Sequence, residues 1–200
     1  MRLGAAAITY AGPPELARLF APLGVDYLRT TEAKTRPEAD FWLFSMSLAA
    51  RMGATLETLP GAPYLTGHGP PRGGIGVVTK GAAYNANDRY RTLPAEIAAE
   101  LLALPGAVDL QPEATGAVDF QDTADRIAGL DLVISVDTSV AHLAGAMGKP
   151  VWVLLSAQGL DWQWMAGRSD SPWYPSARLF RQPAPGDWRS VMDAVRAELG

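Results

Sequence analysis

The sequence predicts an α/β fold: a parallel sheet covered by helices on both faces. Three observations point to it. Short apolar, β-branched-rich runs recur at residues 75–79, 132–136 and 151–155, as strands buried on both faces require. Segments with helical apolar spacing alternate with them, and glycine or proline stands at the joints. Repeated βα units of this length imply parallel strands joined by helical crossovers.

Each element follows from its local pattern. Residues 1–10 form a short apolar stretch with one positive residue, cut off by Pro13, Pro14 and Glu15 before the core of a signal peptide is reached; a strand is expected there. Residues 13–23 carry Leu16, Leu19, Phe20 and Leu23 at helical spacing, with proline at the start and Gly24 at the end. Residues 25–28 read as a strand, and residues 41–52 as a strand followed by a short helix that Gly53 ends. Between Leu59 and Gly76 glycine and proline dominate, which is a linker composition. The expected organisation is a small N-terminal α/β lobe over residues 1–66, a Gly/Pro linker over 67–74 and a parallel-sheet domain over 75–200.

Within that domain, residues 75–79 predict a strand, 94–104 an amphipathic helix, 107–110 a second strand and 122–128 a short helix with Ile127 inward. The run 132–136 and the run 151–155 are further buried strands, separated by a helix that Gly148 and Pro150 close. Residues 187–199 end the chain as a helix capped by Asp187, with Trp188, Val191, Met192, Val195 and Leu199 on one face.

Composition excludes several functions. A net charge of −4 gives no general attraction to nucleic acid or anionic membrane, so a polyanion site must be a local cluster. The absence of cysteine excludes disulfides and thiol catalysis, and two histidines argue against a protein-held zinc site. No run approaches a membrane-spanning length, so a cytoplasmic protein is expected.

The most informative stretch runs from Asp131 to Pro150, where strand, polar turn, helix and stop follow in order. Asp137 and Thr138 supply cap-forming side chains before the helix. A helix start has backbone N–H groups without intrahelical partners and a partial positive charge, which suits an anion. His142, four residues after Thr138, lies on the same face and leans toward the N-terminus, over the same pocket. A plain cap and a packed histidine account for the same residues; the alternative is a phosphate site.

Asp137-Thr138-Ser139-Val140-Ala141-His142-Leu143-Ala144-Gly145-Ala146, with Gly148-Lys149-Pro150-Val151-Trp152, resembles the donor-binding half of GT-B glycosyltransferases. The group it is most similar to is family 9, heptosyltransferase-like, with the related domains fused to tetratricopeptide repeats. Ile75-Gly76-Val77-Val78 with Asn87-Asp88-Arg89-Tyr90-Arg91-Thr92-Leu93-Pro94 agrees in order, as do Asp119-Phe120-Gln121-Asp122-Thr123-Ala124 and Asp161-Trp162-Gln163-Trp164. So does Ser171-Pro172-Trp173-Tyr174-Pro175 with Arg178-Leu179-Phe180-Arg181-Gln182. The resemblance implies a Rossmann-like sheet, the C-terminal half of a GT-B fold, preceded by a partial N-terminal acceptor-side lobe.

It also implies a nucleotide-diphosphate sugar as substrate, an unknown acceptor hydroxyl, metal-independent transfer and no cofactor. Arg91, three residues before Pro94, takes the place of the family's phosphate-binding basic residue, and Arg89 stands in the same loop. A guanidinium there makes charge-assisted bonds to phosphate, each worth about 1.5–3 kcal/mol. Lys80 directly follows the first strand of this half, although Thr79-Lys80-Gly81-Ala82 departs from the tryptophan, small residue, glycine and asparagine of many relatives. The donor set is therefore Lys80, Arg89, Arg91, Asp137, Thr138, Ser139 and His142, with Asp137 on sugar hydroxyls or serving as a cap. Trp162, Trp164 and Trp173 suit sugar or base contacts, although packing is the commoner role of large aromatics.

No catalytic residue is identified. Glu15, Asp26, Glu32 and Asp40 are carboxylates of the N-terminal lobe that sequence alone does not rank as a base. The alternatives to a transferase are a nucleotide-sugar binding module without turnover and a sugar-nucleotide epimerase on the same fold. A shortened lobe would leave a sheet edge for a second copy of the chain or for a partner chain.

Overall fold

A computed structural model describes residues 5, 7–31 and 37–200. The strand expected at the start appears as β1 (Thr9–Gly12), while residues 1–4 and 6 lie outside the described residues. The helical pattern of residues 13–23 becomes a 3-10 turn, a one-turn α1 (Ala17–Phe20) and a second 3-10 turn. Pro22 interrupts any longer helix, because it lacks the N–H that would bond the carbonyl of Arg18. Gly24 then takes a left-handed φ of 69° and turns the chain into β2 (Asp26–Arg29), which pairs with β1 in parallel from Thr9↔Asp26 to Gly12↔Arg29.

The strand expected within residues 41–52 is not formed. Phe41 is 89% exposed and Phe44 71%, and a 3-10 turn at Ser45–Ser47 leads into α2 (Leu48–Arg51). Apolar content reports a tendency to bury, whereas a strand also needs a neighbouring ladder, which the pattern did not encode.

The Gly/Pro-rich segment is laid on the domain that follows. Tyr64 and Leu65 both donate their amides to Ala146, His68 donates its amide to the Asp125 carboxylate, and Arg72 and Gly73 donate theirs to Gly129. Glycine is required for this approach: a Cβ on Gly67 would stand 2.1 Å from the Ala124 carbonyl oxygen, and one on Gly69 1.8 Å from that of Asp125.

The main sheet holds five parallel strands. In chain order the elements are β3 (Ile75–Val78), α3 (Asp88–Arg91), α4 (Ala95–Leu102), β4 (Ala107–Asp109), α5 (Pro112–Thr115), α6 (Phe120–Ala128), β5 (Leu132–Val136), α7 (Ser139–Ala146), β6 (Val151–Leu155), β7 (Ala177–Arg181) and α8 (Trp188–Leu199). The strand order is β4-β3-β5-β6-β7. Side chains alternate across it. Val78, Val133, Val153 and Leu179 pack with Ile127 of α6 and Leu143 of α7 on one face, where Leu19 of α1 also joins. Val77, Ile134, Leu154 and Phe180 pack with Ile97 and Leu101 of α4 and with Trp188, Val191 and Met192 of α8 on the other. The fold is the expected Rossmann-like α/β sheet covered on both faces. Among the described residues, no helix is long and apolar enough to cross a membrane.

Candidate functional site

In open parallel sheets, ligands bind beyond the strand carboxyl ends where the chain reverses its direction of travel across the sheet. Here β3 leads outward to β4, and β5 returns on its other side, so the reversal lies between β3 and β5. A cavity of about 1000 Å³ opens there. It lies at the upper end of the range for small-molecule sites, about 300–1,000 Å³.

Six of the seven residues expected at the donor site line this cavity: Lys80, Arg91, Asp137, Thr138, Ser139 and His142. Arg89 does not. It borders a separate, smaller hollow beside Trp188, and its guanidinium lies over the Tyr90 ring at 4.6 Å and donates to the Tyr90 hydroxyl. The expected loop is the one-turn helix α3, and residues two apart on a helix point to different sides. Only Arg91 therefore faces the cavity.

Arg91 is braced from two directions. Nη1 donates to the Asp137 backbone carbonyl at 2.7 Å, and Nε donates to the Asp88 carboxylate at 3.2 Å. Gly81 permits this, because a Cβ there would stand within 2.6 Å of the Arg91 guanidinium and 2.3 Å of Asp88. Lys80 is half-exposed, with Nζ 3.9 Å from Glu113.

The turn after β5 differs from expectation in one respect: neither Asp137 nor Thr138 caps α7. Thr138 occupies the cap position, but its hydroxyl meets that of Ser135 at 3.0 Å inside the fold. The buried Asp137 carboxylate accepts from the Trp164 indole N–H at 2.8 Å. By contrast, Asp119 and Asp187 do cap α6 and α8. The first turn of α7 thus presents amides at the cavity wall with no side chain bonded to them.

Residues 86–157 match the model of glycosyltransferase family 9 (heptosyltransferase). This stretch of the chain is therefore glycosyltransferase-like, and it runs from the approach to α3 through the end of β6. A relative, Protein FlbA of Caulobacter vibrioides, is 35% identical over 95 residues; the match covers 48% of this chain and 14% of that protein. No solved structure matches the chain.

The segment that matches family 9 carries Arg91 and the Asp137 to His142 turn, but other parts of the site come from outside it. Trp164, fully buried, follows β6 and holds Asp137 while stacking on the His142 ring at 4.8 Å and 23°. Trp162 is 54% exposed on the cavity wall and meets Trp173 edge-on. Of the three tryptophans, Trp164 packs, as the commoner role of large aromatics predicts, and Trp162 is open to a ligand.

Burial pushes the His142 pKa below its ordinary value, against the opposing pull of Asp137 and Asp161. Its Nδ1 lies 3.2 Å from the Tyr174 hydroxyl. Sequence reasoning missed Tyr174, which comes 32 positions later, and Gln111, whose side-chain amide donates to the Lys80 carbonyl. It also left Glu15 unranked. The structure puts Glu15, from the N-terminal unit, on the cavity wall, whereas Asp26 and Asp40 do not line it and Glu32 lies outside the described residues.

Proposed function

We propose that the chain binds a nucleotide-diphosphate sugar in this cavity and transfers the sugar to an acceptor hydroxyl, as the donor-binding half of a GT-B glycosyltransferase. The observation that carries the proposal is the meeting of the braced Arg91 guanidinium with the uncapped first turn of α7 at the sheet's reversal point, within a family 9 match.

Breaking the glycosidic bond leaves negative charge on the diphosphate, and preformed donors aimed at that charge lower the barrier. Arg91, Lys80, the Ser139 hydroxyl and the α7 amides supply such donors without a metal ion. The acceptor oxygen forms a bond to the anomeric carbon as the bond to the diphosphate breaks. Glu15 takes the acceptor's proton, as the N-terminal carboxylate on the cavity wall. Trp162 offers an apolar face for the sugar.

A second class, a nucleotide-sugar binding module without turnover that a partner chain completes, draws on the small N-terminal unit, with two strands among its described residues. Incubation with a panel of nucleotide sugars, with the products resolved by mass spectrometry and sugar analysis, separates the readings. Transfer to a hydroxyl acceptor or to water supports the transferase. Saturable binding with an unchanged donor supports the module, and a nucleotide sugar epimerised at a carbon other than the anomeric one, with no transfer, contradicts both.

A further inference from the structure

We infer that Tyr174 is a positioning residue for His142: its hydroxyl donates to Nδ1 and, with Asp137 on the other side of the ring, holds the imidazole as the neutral tautomer that presents Nε2–H toward Asp137 and the cavity. Asp137 settles the direction of the bond. Its Oδ1 lies 3.8 Å from His142 Nε2 and already accepts from the Trp164 indole. The indole fixes Oδ1 as an acceptor, so a lone pair on Nε2 would face an oxygen lone pair, while a proton there is attracted to it. Nδ1 is then the acceptor, and the Tyr174 hydroxyl at 3.2 Å is the donor.

The surroundings are built for this contact. Tyr174 is buried and lies behind His142 rather than on the cavity wall. Its ring rests against α7 at Gly145, one helical turn after His142, where a Cβ would stand 2.4–2.8 Å from three ring atoms. Trp164 stacks on the imidazole and fixes the ring plane. The segment that donates to Ala146 brings the Tyr64 hydroxyl against that of Tyr174. Burial holds the Tyr174 hydroxyl in its protonated form.

The use of this arrangement rests on the donor-site proposal: a neutral Nε2–H gives a hydrogen bond to a donor oxygen without adding a cation. The tautomer itself does not depend on that proposal, and it is read without ligand. In long-range proton–nitrogen spectra of protein with labelled histidine, with His68→Gln removing the other imidazole, His142 at pH 7.5 is expected as the Nε2–H form. Tyr174→Phe keeps the ring but removes the donor, and should move the Nδ1 resonance to the value of an unbonded lone pair while Asp137 keeps the proton on Nε2. Gly145→Ala, which displaces the Tyr174 ring, should do the same. Nucleotide-sugar affinity should fall about 3–10-fold in Tyr174→Phe, the loss of one net hydrogen bond. An Nδ1–H or cationic His142 in the otherwise unchanged protein at this pH would overturn the assignment, as would an unaltered Nδ1 resonance in Tyr174→Phe. If the spectrum is as expected and no nucleotide binds, the donor-site proposal fails and the tautomer assignment stands.

Discussion

Trp164 shows how one residue organises the others at the site. Its indole N–H satisfies the buried Asp137 carboxylate, its ring stacks on His142, and its carbonyl accepts from Arg181. Replacing it by phenylalanine keeps an aromatic ring but leaves the carboxylate without its indole partner, so Trp164→Phe should cost about 1–3 kcal/mol in urea unfolding. Unchanged stability would mean that Asp137 finds another donor. The spacing of Asp137, Thr138, Ser139 and His142 was readable in the sequence because all four lie within two helical turns. That Asp137 is not a cap was hidden, since Trp164 comes 27 positions later and competes for the carboxylate only in the folded chain. Gly145, one turn beyond His142, carried no reading of its own in the sequence, and the Tyr174 ring that packs on it is seen only in the folded chain.

The elements of the main sheet were readable where burial on both faces produces unbroken apolar runs, as at β3, β5 and β6. β7 was not read as a strand, because Arg178 and Arg181 interrupt its hydrophobicity, although Leu179 and Phe180 are buried on opposite faces. α3 was expected as a loop: its four residues are too few for a periodic signal, yet its helical turn decides that Arg91 and not Arg89 faces the cavity. The Gly/Pro segment carried a composition that suggested a loose connection, and its glycines instead allow backbone to lie on α6. Gly69→Ala would place a Cβ 1.8 Å from the Asp125 carbonyl oxygen, and should cost about 1–3 kcal/mol. Tm would fall by roughly 2–4 °C for each kcal/mol in a chain this size. Gly116→Ala is the control, where φ is 68° and no atom stands within 4 Å, so only backbone strain of about 1–2 kcal/mol applies. A loss near zero at Gly69, where φ is not left-handed, would show that the crowding is relieved by a small shift of the chain.

At the scale of the whole molecule, the N-terminal unit meets the sheet domain beside the cavity. Leu19 enters the core shared with α6 and α7, and Arg18 pairs with Asp119 and Asp122 at the start of α6. This contact sets Glu15 on the cavity wall, a placement that no pattern within residues 1–66 could reveal because it depends on the distant α6. Glu15→Gln should lower sugar transfer by about 10²–10⁴-fold, the usual contribution of a general base, while leaving nucleotide affinity within about twofold. Retained transfer would remove Glu15 from the mechanism. The donor site is tested most directly by thermal shift with UDP, GDP, ADP and dTDP and their common sugar conjugates, on the unaltered chain and on Arg91→Ala. Ligand at a hundredfold excess over Kd adds about 2.7 kcal/mol. At roughly 2–4 °C per kcal/mol, Tm should rise by about 5–10 °C with one base, and the rise should vanish in Arg91→Ala. No shift with any nucleotide, or the same shift in both proteins, would contradict a nucleotide-sugar site built around Arg91.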